Sequence, residues 1–134
     1  MKVLIDTNVI IDFYCQRPEF YDNAASVFDM AVKQEIELLI SPISFVNFFY
    51  ITRKDFTVTE RYEILRGLME VCTIPNTNEE VLQKALATDI PDFEDMVQMQ
   101  SAILAEADCI ITRNKKDFIS ATIPVHTPYE FLNR

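Results

Sequence analysis

Short, continuously apolar runs alternate along this chain with longer segments whose apolar positions recur at helical spacing. Continuous apolar runs are typical of parallel strands that are buried on both faces. They predict strands at 3–5, 36–40, 71–74 and 109–111, and a weaker one at 122–125. The helical spacing predicts helices at 24–33, 42–52, 59–69, 79–88 and 92–107. This alternation predicts an α/β fold, a three-layer α/β/α arrangement around a central parallel sheet.

No internal repeat, low-complexity tract or linker interrupts the pattern, so we expect a single domain over residues 1–134. The composition limits the kinds of binding site that the chain can form, because it has one Gly, one His and three Cys. A phosphate-binding loop built on several glycines is excluded, since Gly67 stands alone. A paired-histidine metal site is excluded with only His126, and the cysteines are too far apart in sequence for a C-x-x-C pair.

The formal net charge is −9, from 21 Asp and Glu against 12 Lys and Arg. That balance disfavours a passive binder of the nucleic-acid backbone, which needs a basic surface. It does not exclude a nuclease, because a bound divalent cation inverts the local field of the carboxylates that hold it. No apolar run approaches the roughly 18 residues of a membrane helix. Since Asp6 also comes too early for a signal peptide, we expect a cytoplasmic protein with no membrane partner.

Acids and amides follow two of the predicted strands, and the carboxyl ends of parallel strands are where α/β sheets bind ligands. Asp6, Thr7 and Asn8 follow the first strand. The strand at 109–111 is followed by Thr112, Arg113 and Asn114, with Asp117 three residues later. The helix before that strand opens with Asp92, Phe93, Glu94 and Asp95. We expect these segments to converge at one edge of the sheet.

These segments resemble the motifs of the PIN-domain ribonucleases. Residues 4–12 are similar to the opening of that family, 92–95 with Gln98 and Ala102 to its third acidic motif, and 112–118 to its fourth. The resemblance spans nearly the whole chain, and single-domain members of this size are most often VapC-like toxins of toxin–antitoxin pairs. It implies a PIN-like fold and a Mg²⁺- or Mn²⁺-dependent endoribonuclease acting on RNA, commonly a homodimer, which a small antitoxin protein holds inactive.

The same chemistry fits the residue types. Mg²⁺ takes oxygen ligands and keeps several waters, so a few carboxylates around a cleft suffice. We expect Asp6, Asp95 and Asp117 to be catalytic, as metal ligands whose ion polarises the scissile phosphate and acidifies the attacking water. The groups expected to orient those ligands or a water are Thr7, Asn8, Thr112 and Asn114.

Each acid also has a structural alternative. Asp6 could cap the first helix, and Asp92 with Asp95 has the spacing of an N-terminal cap. Asp117 could be an ordinary loop acid. We favour Asp92 as the cap and Asp95 as the ligand. Glu94 points about 100° around the helix from Asp95, so we expect it to be solvated.

Asn47 departs from the resemblance, because the family usually places a Glu at this point of the helix after the second strand. An amide oxygen can accept the same hydrogen bonds and touch a cation, but it brings no charge. We expect Asn47 to face the cleft as a weak or indirect ligand, the alternative being a satisfied amide in an aromatic-rich helix. The alternative function is a catalytically weakened or inactive PIN-fold module that binds protein or RNA.

Positive charge beside the acids is supplied by Arg113, Lys115 and Lys116, which we expect to contact RNA unless they form only a solvated turn. Asp12 is expected to be a surface acid or a contact between helices. The adjacent Phe48 and Phe49 point to different faces of a helix, which favours a second interface with another copy or an antitoxin helix.

Two other α/β classes fit less well. A phosphoacceptor receiver domain needs an Asp at the end of the third strand, where this chain has Pro75 and Asn76. A phosphatase of the haloacid-dehalogenase type needs D-x-D after its first strand, and residues 6–8 lack the second acid.

Overall fold

One sheet of four parallel strands forms the centre of the fold in the computed structural model, which describes residues 1–134. The strands are β1 (Lys2–Ile5), β2 (Glu37–Leu39), β3 (Cys109–Ile111) and β4 (Val125–His126). Their order is β2-β1-β3-β4, and every neighbouring pair runs parallel. The chain therefore places β2 on one side of β1, and later β3 and β4 on the other side.

Helices cover both faces of this sheet. They are α1 (Thr7–Tyr14), α2 (Tyr21–Val32), α3 (Pro42–Ile51), α4 (Val58–Val71), α5 (Glu79–Leu86), α6 (Phe93–Leu104) and α7 (Pro128–Leu132). Single 3₁₀ turns follow α3 at Thr52–Lys54 and β3 at Lys115–Phe118. The predicted three-layer α/β/α fold is confirmed.

Two apolar clusters, one on each face of the sheet, make the layers. Val3 and Ile5 of β1 point into the cluster that contains residues of α1 and α2, whereas Leu4 points into the cluster that contains residues of α5 and α6. All three side chains are fully buried. Successive residues of a strand face opposite sides of its sheet, so continuous apolar runs are what a sheet covered on both faces requires.

The helix ends show how the chain manages with a single glycine. Four residues just beyond helices have left-handed backbone, where glycine is usually favoured because it lacks a Cβ. They are Gln16, Gln34, Asp89 and Glu106, with φ between 52° and 60°. Gly67 instead lies inside α4, where an added Cβ would meet nothing within 4 Å. The scarcity of glycine therefore excludes loops for phosphate without excluding tight helix ends.

The predicted strand at 71–74 is wrong. Helix α4 continues to Val71, and Thr73 alone forms a parallel bridge, to Leu39. Ile64 and Leu68 continue at helical spacing to Cys72, and all three pack against the first core cluster. Only Val71 of this run is helical, and Cys72 ends the helix with extended backbone, so the run is divided between the last residue of α4 and the single bridge at Thr73.

Other element boundaries differ by a few residues. The last strand begins at Val125 rather than 122, and α6 ends at Leu104 rather than 107. A helix immediately after β1, which the sequence suggested only through a capping role for Asp6, runs from Thr7 to Tyr14. None of the helices is both long and apolar enough to span a bilayer.

Candidate active site

The polar segments after the strands meet at one edge of the sheet. The strand order reverses between β1 and β3, and α/β sheets bind ligands at the carboxyl edge beside such a reversal. The N–H of Asp6 donates to the carbonyl of Ile111, and the N–H of Thr112 donates to the carbonyl of His126, both at 2.9 Å. The residues that follow β1, β3 and β4 are therefore neighbours.

Asp6 is buried at the start of α1 and is held by three uncharged donors. Its carboxylate accepts hydrogen bonds from the Thr7 N–H at 2.7 Å, Gln98 Nε2 at 3.0 Å and Thr112 Oγ1 at 2.9 Å. Burial raises the pKa of Asp6, and these hydrogen bonds oppose that rise. Asp6 does cap α1, as the alternative from the sequence held, but the cap uses only one of the three bonds.

Buried hydroxyl and amide groups connect the helices around Asp6. Thr7 Oγ1 lies 2.8 Å from Ser44 Oγ of α3, and the Ser44 hydroxyl reaches Gln98 Oε1 of α6 at 3.5 Å. Ser44 and Gln98 are fully buried. Neither is among the site residues predicted from the sequence, although each lies three helical positions from a predicted one, Ser44 from Asn47 and Gln98 from Asp95. A polar residue on the same helix face as a candidate ligand is the signal that would have found them.

Asp95 is the second buried acid and lies in the first turn of α6. Its N–H donates to Oδ1 of Asp92 at 3.1 Å, so Asp92 is the N-cap, as predicted. Oδ2 of Asp95 is buried and has no hydrogen-bond partner. Burial, the adjacent Asp92 side chain and the charges of Asp6 and Asp117 raise the pKa of Asp95 to about 9. The chain thus buries a carboxylate oxygen that none of its own groups satisfies.

An open cleft of about 390 Å³ lies over these two acids. Its polar lining consists of acids, amides and one threonine, with no Lys, Arg or His. The members are Asp6, Thr7, Asn8, Asn47, Asp92, Glu94, Asp95 and Asp117. The acids come from the end of β1, the start of α6 and the 3₁₀ turn after β3, so the predicted convergence is confirmed.

Glu94 also lines this cleft, and it is less exposed to solvent than the sequence suggested. Its side chain is half-buried. Burial and the charge of Asp6 raise the pKa of Glu94, and the Asn47 side chain opposes the rise. The 100° angle to Asp95 does not separate the two residues, because at a helix N-terminus both directions face the open cleft. Asn47 faces the cleft as predicted.

The cleft has donor atoms of the type that a hard divalent cation prefers, but they do not form a complete coordination site. No group of three or more His, Cys, Asp or Glu side chains is arranged to hold a metal ion. The fit rests instead on the unsatisfied Oδ2 of Asp95, which lies close enough to Asp6 and Asp117 for their charges to raise its pKa. Oxygen ligands without soft sulfur or imidazole groups suit Mg²⁺ and Mn²⁺.

The three basic residues of the 112–118 segment have different environments. Arg113 Nε pairs with Asp12 Oδ2 at 3.0 Å, and its guanidinium lies over the ring of Phe20, 4.5 Å from the centroid. Arg17 Nη1 reaches the other carboxylate oxygen of Asp12 at 3.4 Å. The sequence suggested that Asp12 is a surface acid or a contact between two helices, and it is neither. It is a buried anion that ties α1 to the segment after β3.

The remaining predicted groups support the turn after β3. Asn8 Oδ1 accepts a hydrogen bond from the Arg113 N–H at 3.4 Å, and the Asn114 N–H donates to Thr112 Oγ1 at 3.1 Å. Lys115 Nζ pairs with Glu130 at 3.1 Å, whereas Lys116 is exposed. None of the three basic side chains lines the acidic cleft.

Comparison with known proteins identifies relatives across almost the whole length. Residues 2–116 match the family described as PIN domain. The fold is similar to a toxin–antitoxin complex from Klebsiella pneumoniae, with TM-score 0.70, 26% sequence identity, and 96% of this chain and 98% of that chain covered. It is also similar to VapBC-1 from nontypeable Haemophilus influenzae, with TM-score 0.70, 19% identity and coverage of 96% and 99%. DNA-bound VapBC from Salmonella typhimurium has TM-score 0.71 at 15% identity, with coverage of 96% and 98%. None of the curated proteins matches the sequence.

Proposed function

This chain belongs to the PIN-domain family, and from that membership we propose that it is a divalent-metal-dependent endoribonuclease, the toxin of a toxin–antitoxin pair. The proposed site residues are Asp6, Asp95 and Asp117, with Glu94 as an additional acid. The proposed ion is Mg²⁺ or Mn²⁺. The antitoxin partner is supported by the toxin–antitoxin and VapBC complexes whose toxin fold this chain shares.

The observation that carries the proposal is the unsatisfied Oδ2 of Asp95 in an acid-lined cleft. Buried polar atoms without partners are rare in proteins, because each costs the free energy of its lost hydration. A buried carboxylate is normally paired with a cation. Since no basic side chain of the chain lines this cleft, Asp95 is neutralised by the proton that its raised pKa retains or by a cation from outside the chain that displaces this proton. We propose a hard cation in that role.

Residues around the cleft hold the proposed ligands of that ion in fixed positions. A divalent ion held here supplies Lewis-acid polarisation of the scissile phosphate and a water of lowered pKa. Thr112 and Gln98 hold the Asp6 carboxylate in one orientation by hydrogen bonds from both sides. Asp92 anchors the first turn of α6, which fixes where Asp95 points. The acids also exclude an RNA phosphate from the cleft unless a cation is present, so ion and substrate bind together.

Glu94 bears on the alternative of a weakened or inactive module. Asn47 removes one negative charge from the position where the family usually has Glu. In this chain Asn47 and Glu94 line the same cleft, and the Asn47 side chain offsets part of the rise in the pKa of Glu94. We propose that Glu94 supplies the missing charge from the opposite wall. The cleft then has a full set of acids, which favours catalysis over binding alone.

A homodimer is part of the proposal, and α3 provides a surface for it. Val46 and Tyr50 are mostly exposed on this helix, although both are large and apolar or aromatic. Exposed apolar groups on neighbouring turns are typical of interfaces. Phe48 is fully buried, so the two adjacent phenylalanines do point to different environments.

The test is cleavage of a panel of structured RNAs with Mg²⁺ and with Mn²⁺, together with calorimetric titration of Mn²⁺. Wild type is compared with Asp6→Asn and Asp95→Asn, and with Asp22→Asn, which changes an exposed acid on α2. Loss of a ligand is expected to reduce cleavage and Mn²⁺ affinity by more than about a hundredfold, a larger effect than removal of an outer-shell partner. Asp22→Asn is expected to behave as wild type. If wild type and Asp6→Asn are indistinguishable with every metal, the enzyme assignment is wrong and the binding module replaces it.

A further inference from the structure

A second cavity, of about 330 Å³, lies on the same carboxyl edge of the sheet. Its walls come from the end of α1, the start of α2, the residue after Thr112 and the residues after β4. The side chains that matter here are Phe20, Asn23, Arg113 and Tyr129. None of them lines the acidic cleft.

Arg113 lines this cavity with a guanidinium whose charge is already paired. Its Nε pairs with the Asp12 carboxylate, whose side chain is only 2% exposed. The guanidinium also lies over the Phe20 ring, 4.5 Å from the centroid. The ion pair offsets the charge, and the ring holds the guanidinium plane in one position. A phosphate would find little net attraction, whereas a flat, weakly hydrated ligand would find a stacking surface.

Tyr129 and Asn23 complete the recognition surface. Tyr129 lies in the first turn of α7 and is 63% exposed, so its ring is available to a ligand. The amide of Asn23 can donate and accept hydrogen bonds at once. Aromatic rings, a guanidinium plane and an amide are the groups that recognise unpaired nucleobases by stacking and edge contacts.

The cavity lies within reach of an RNA strand whose phosphate is in the acidic cleft. Asn8, which lines the cleft, and Asp12, which lines the cavity, are one helical turn apart on α1, about 6 Å along the axis. Arg113 spans the same step, since its N–H bonds to Asn8 and its side chain to Asp12. A nucleotide next to the reacting phosphate covers that separation.

We propose that this cavity is a nucleobase subsite that binds an unpaired base of the RNA substrate, with Tyr129 as the stacking ring. The inference rests on the proposed nuclease function and adds a specificity site to it. It gives Arg113 a part in RNA recognition through its plane, in place of the phosphate contact expected from the sequence.

The experiment measures binding of two nuclease-resistant probes in Mg²⁺. One is a short 2′-O-methyl oligoadenylate, and the other is an abasic oligomer with the same number of phosphates. Tyr129→Ala is expected to weaken oligoadenylate binding about tenfold, the usual effect of losing one stacking contact. It should leave abasic binding and the salt dependence of both probes unchanged, because no phosphate contact is lost.

Two variants control for structure and chemistry. Tyr129→Phe keeps the ring and should bind oligoadenylate within about twofold of wild type. Tyr62→Ala removes another exposed tyrosine, on α4 and outside both cavities, and should have no effect. Thermal unfolding confirms that each variant is folded.

The outcomes separate this subsite from the proposed function. If Tyr129→Ala weakens both probes equally, or neither, the subsite is wrong, and a protein segment becomes the better occupant. Cleavage by wild type and its loss in Asp6→Asn would still stand in that case. If wild type binds neither probe and cleaves no RNA, the proposed function and the subsite are both overturned.

Discussion

Asp12 and Asp95 are both buried carboxylates beside the carboxyl edge of the sheet, with 1% and 5% of their surface exposed. Asp12 lies between the guanidinium groups of Arg113 and Arg17. Asp95 has acids around it and one oxygen without any partner. Burial alone therefore does not reveal what a carboxylate does. An anion with its cation supplied by the chain is structural, and an anion without one is available to an external cation.

The largest effect on stability is expected when the paired acid, Asp12, is removed. Asp12→Ala leaves Arg113 and Arg17 without their anion and should destabilise the fold by about 3 kcal/mol, since breaking a buried ion pair exposes the cost of the remaining charge. Urea unfolding measures this. The matched control is Asp29→Ala, which removes an exposed partner of Lys33 and should cost at most about 0.5 kcal/mol. Equal losses would show that the Asp12 pair is no more than a surface contact.

Replacing the unpaired acid, Asp95, should change the free energy of unfolding in the opposite direction. In buffer containing a chelator at pH 8, Asp95→Asn should stabilise the protein by about 2 kcal/mol, because the folded protein has to keep Asp95 protonated at a pH where the unfolded chain ionises it freely, and an amide carries no such cost. The same isosteric change at the paired acid, Asp12→Asn, should destabilise. Two losses of stability would contradict the distinction between the two acids.

The stabilisation by Asp95→Asn should also depend on pH in a defined direction. The folded pKa of Asp95 is about 9, against an ordinary value of 3.8. The folded protein therefore holds this proton through a range in which the unfolded chain has lost it, and stability falls as pH rises from about 4 to about 9. The gain from the variant should vanish near pH 4 and grow toward pH 9. A gain that is independent of pH would mean that the ionisation of Asp95 is not its source.

A smaller effect is expected for Glu94, which we propose replaces the acid that is absent at Asn47. Glu94→Gln should weaken Mn²⁺ binding about tenfold, the effect of losing one supporting group at a metal site. Adding Asn47→Glu to that variant should restore most of the affinity, because the charge returns from α3. Calorimetry measures both steps. If Asn47→Glu rescues nothing, the two positions do not serve the same ion.

The smallest effect concerns the basic residues. Lys116→Ala should reduce RNA affinity about twofold and lower the slope of its salt dependence by about one. Lys115→Ala should do less, since that ammonium is already paired with Glu130. Binding titrations at several salt concentrations check this. An unchanged slope for Lys116→Ala would assign that residue to solvent.

Most of the fold could be predicted because its signals are local. The last three residues of β1 and all of β3 are apolar, as burial on both faces demands, and the caps at Ser41 and Asp92 are where the sequence indicates. The prediction failed at 71–74, where an apolar run had the composition of a strand. Helix α4 ends only at Val71 and leaves Thr73 alone to pair with β2, and composition does not record where a helix stops.

The candidate site was predictable in part for the same reason. Asp6, Asp95 and Asp117 could be chosen because they follow strands or open a helix, and the structure brings them to one cleft. The position of Glu94 in the cleft was not predicted, because its angle on the helix was considered without the open end of that helix. Ser44 was missed, and Gln98 was noted only as part of the motif that begins at 92, because their importance comes from the hydrogen bonds that they share across three helices.

The sequence by itself determined the three layers, the edge of the sheet at which the candidate site lies, and the residue types available there. It also showed that neither glycine loops nor histidine pairs could handle phosphate. Only the tertiary structure decided which acids have cations and which do not. That decision depends on pairs far apart in the chain, such as Asp12 with Arg113, separated by 101 positions, and Asp6 with Thr112, separated by 106. Periodicity is set by the nearest turns of a helix or strand, whereas the charge environment of a buried group is set by whatever the fold brings beside it.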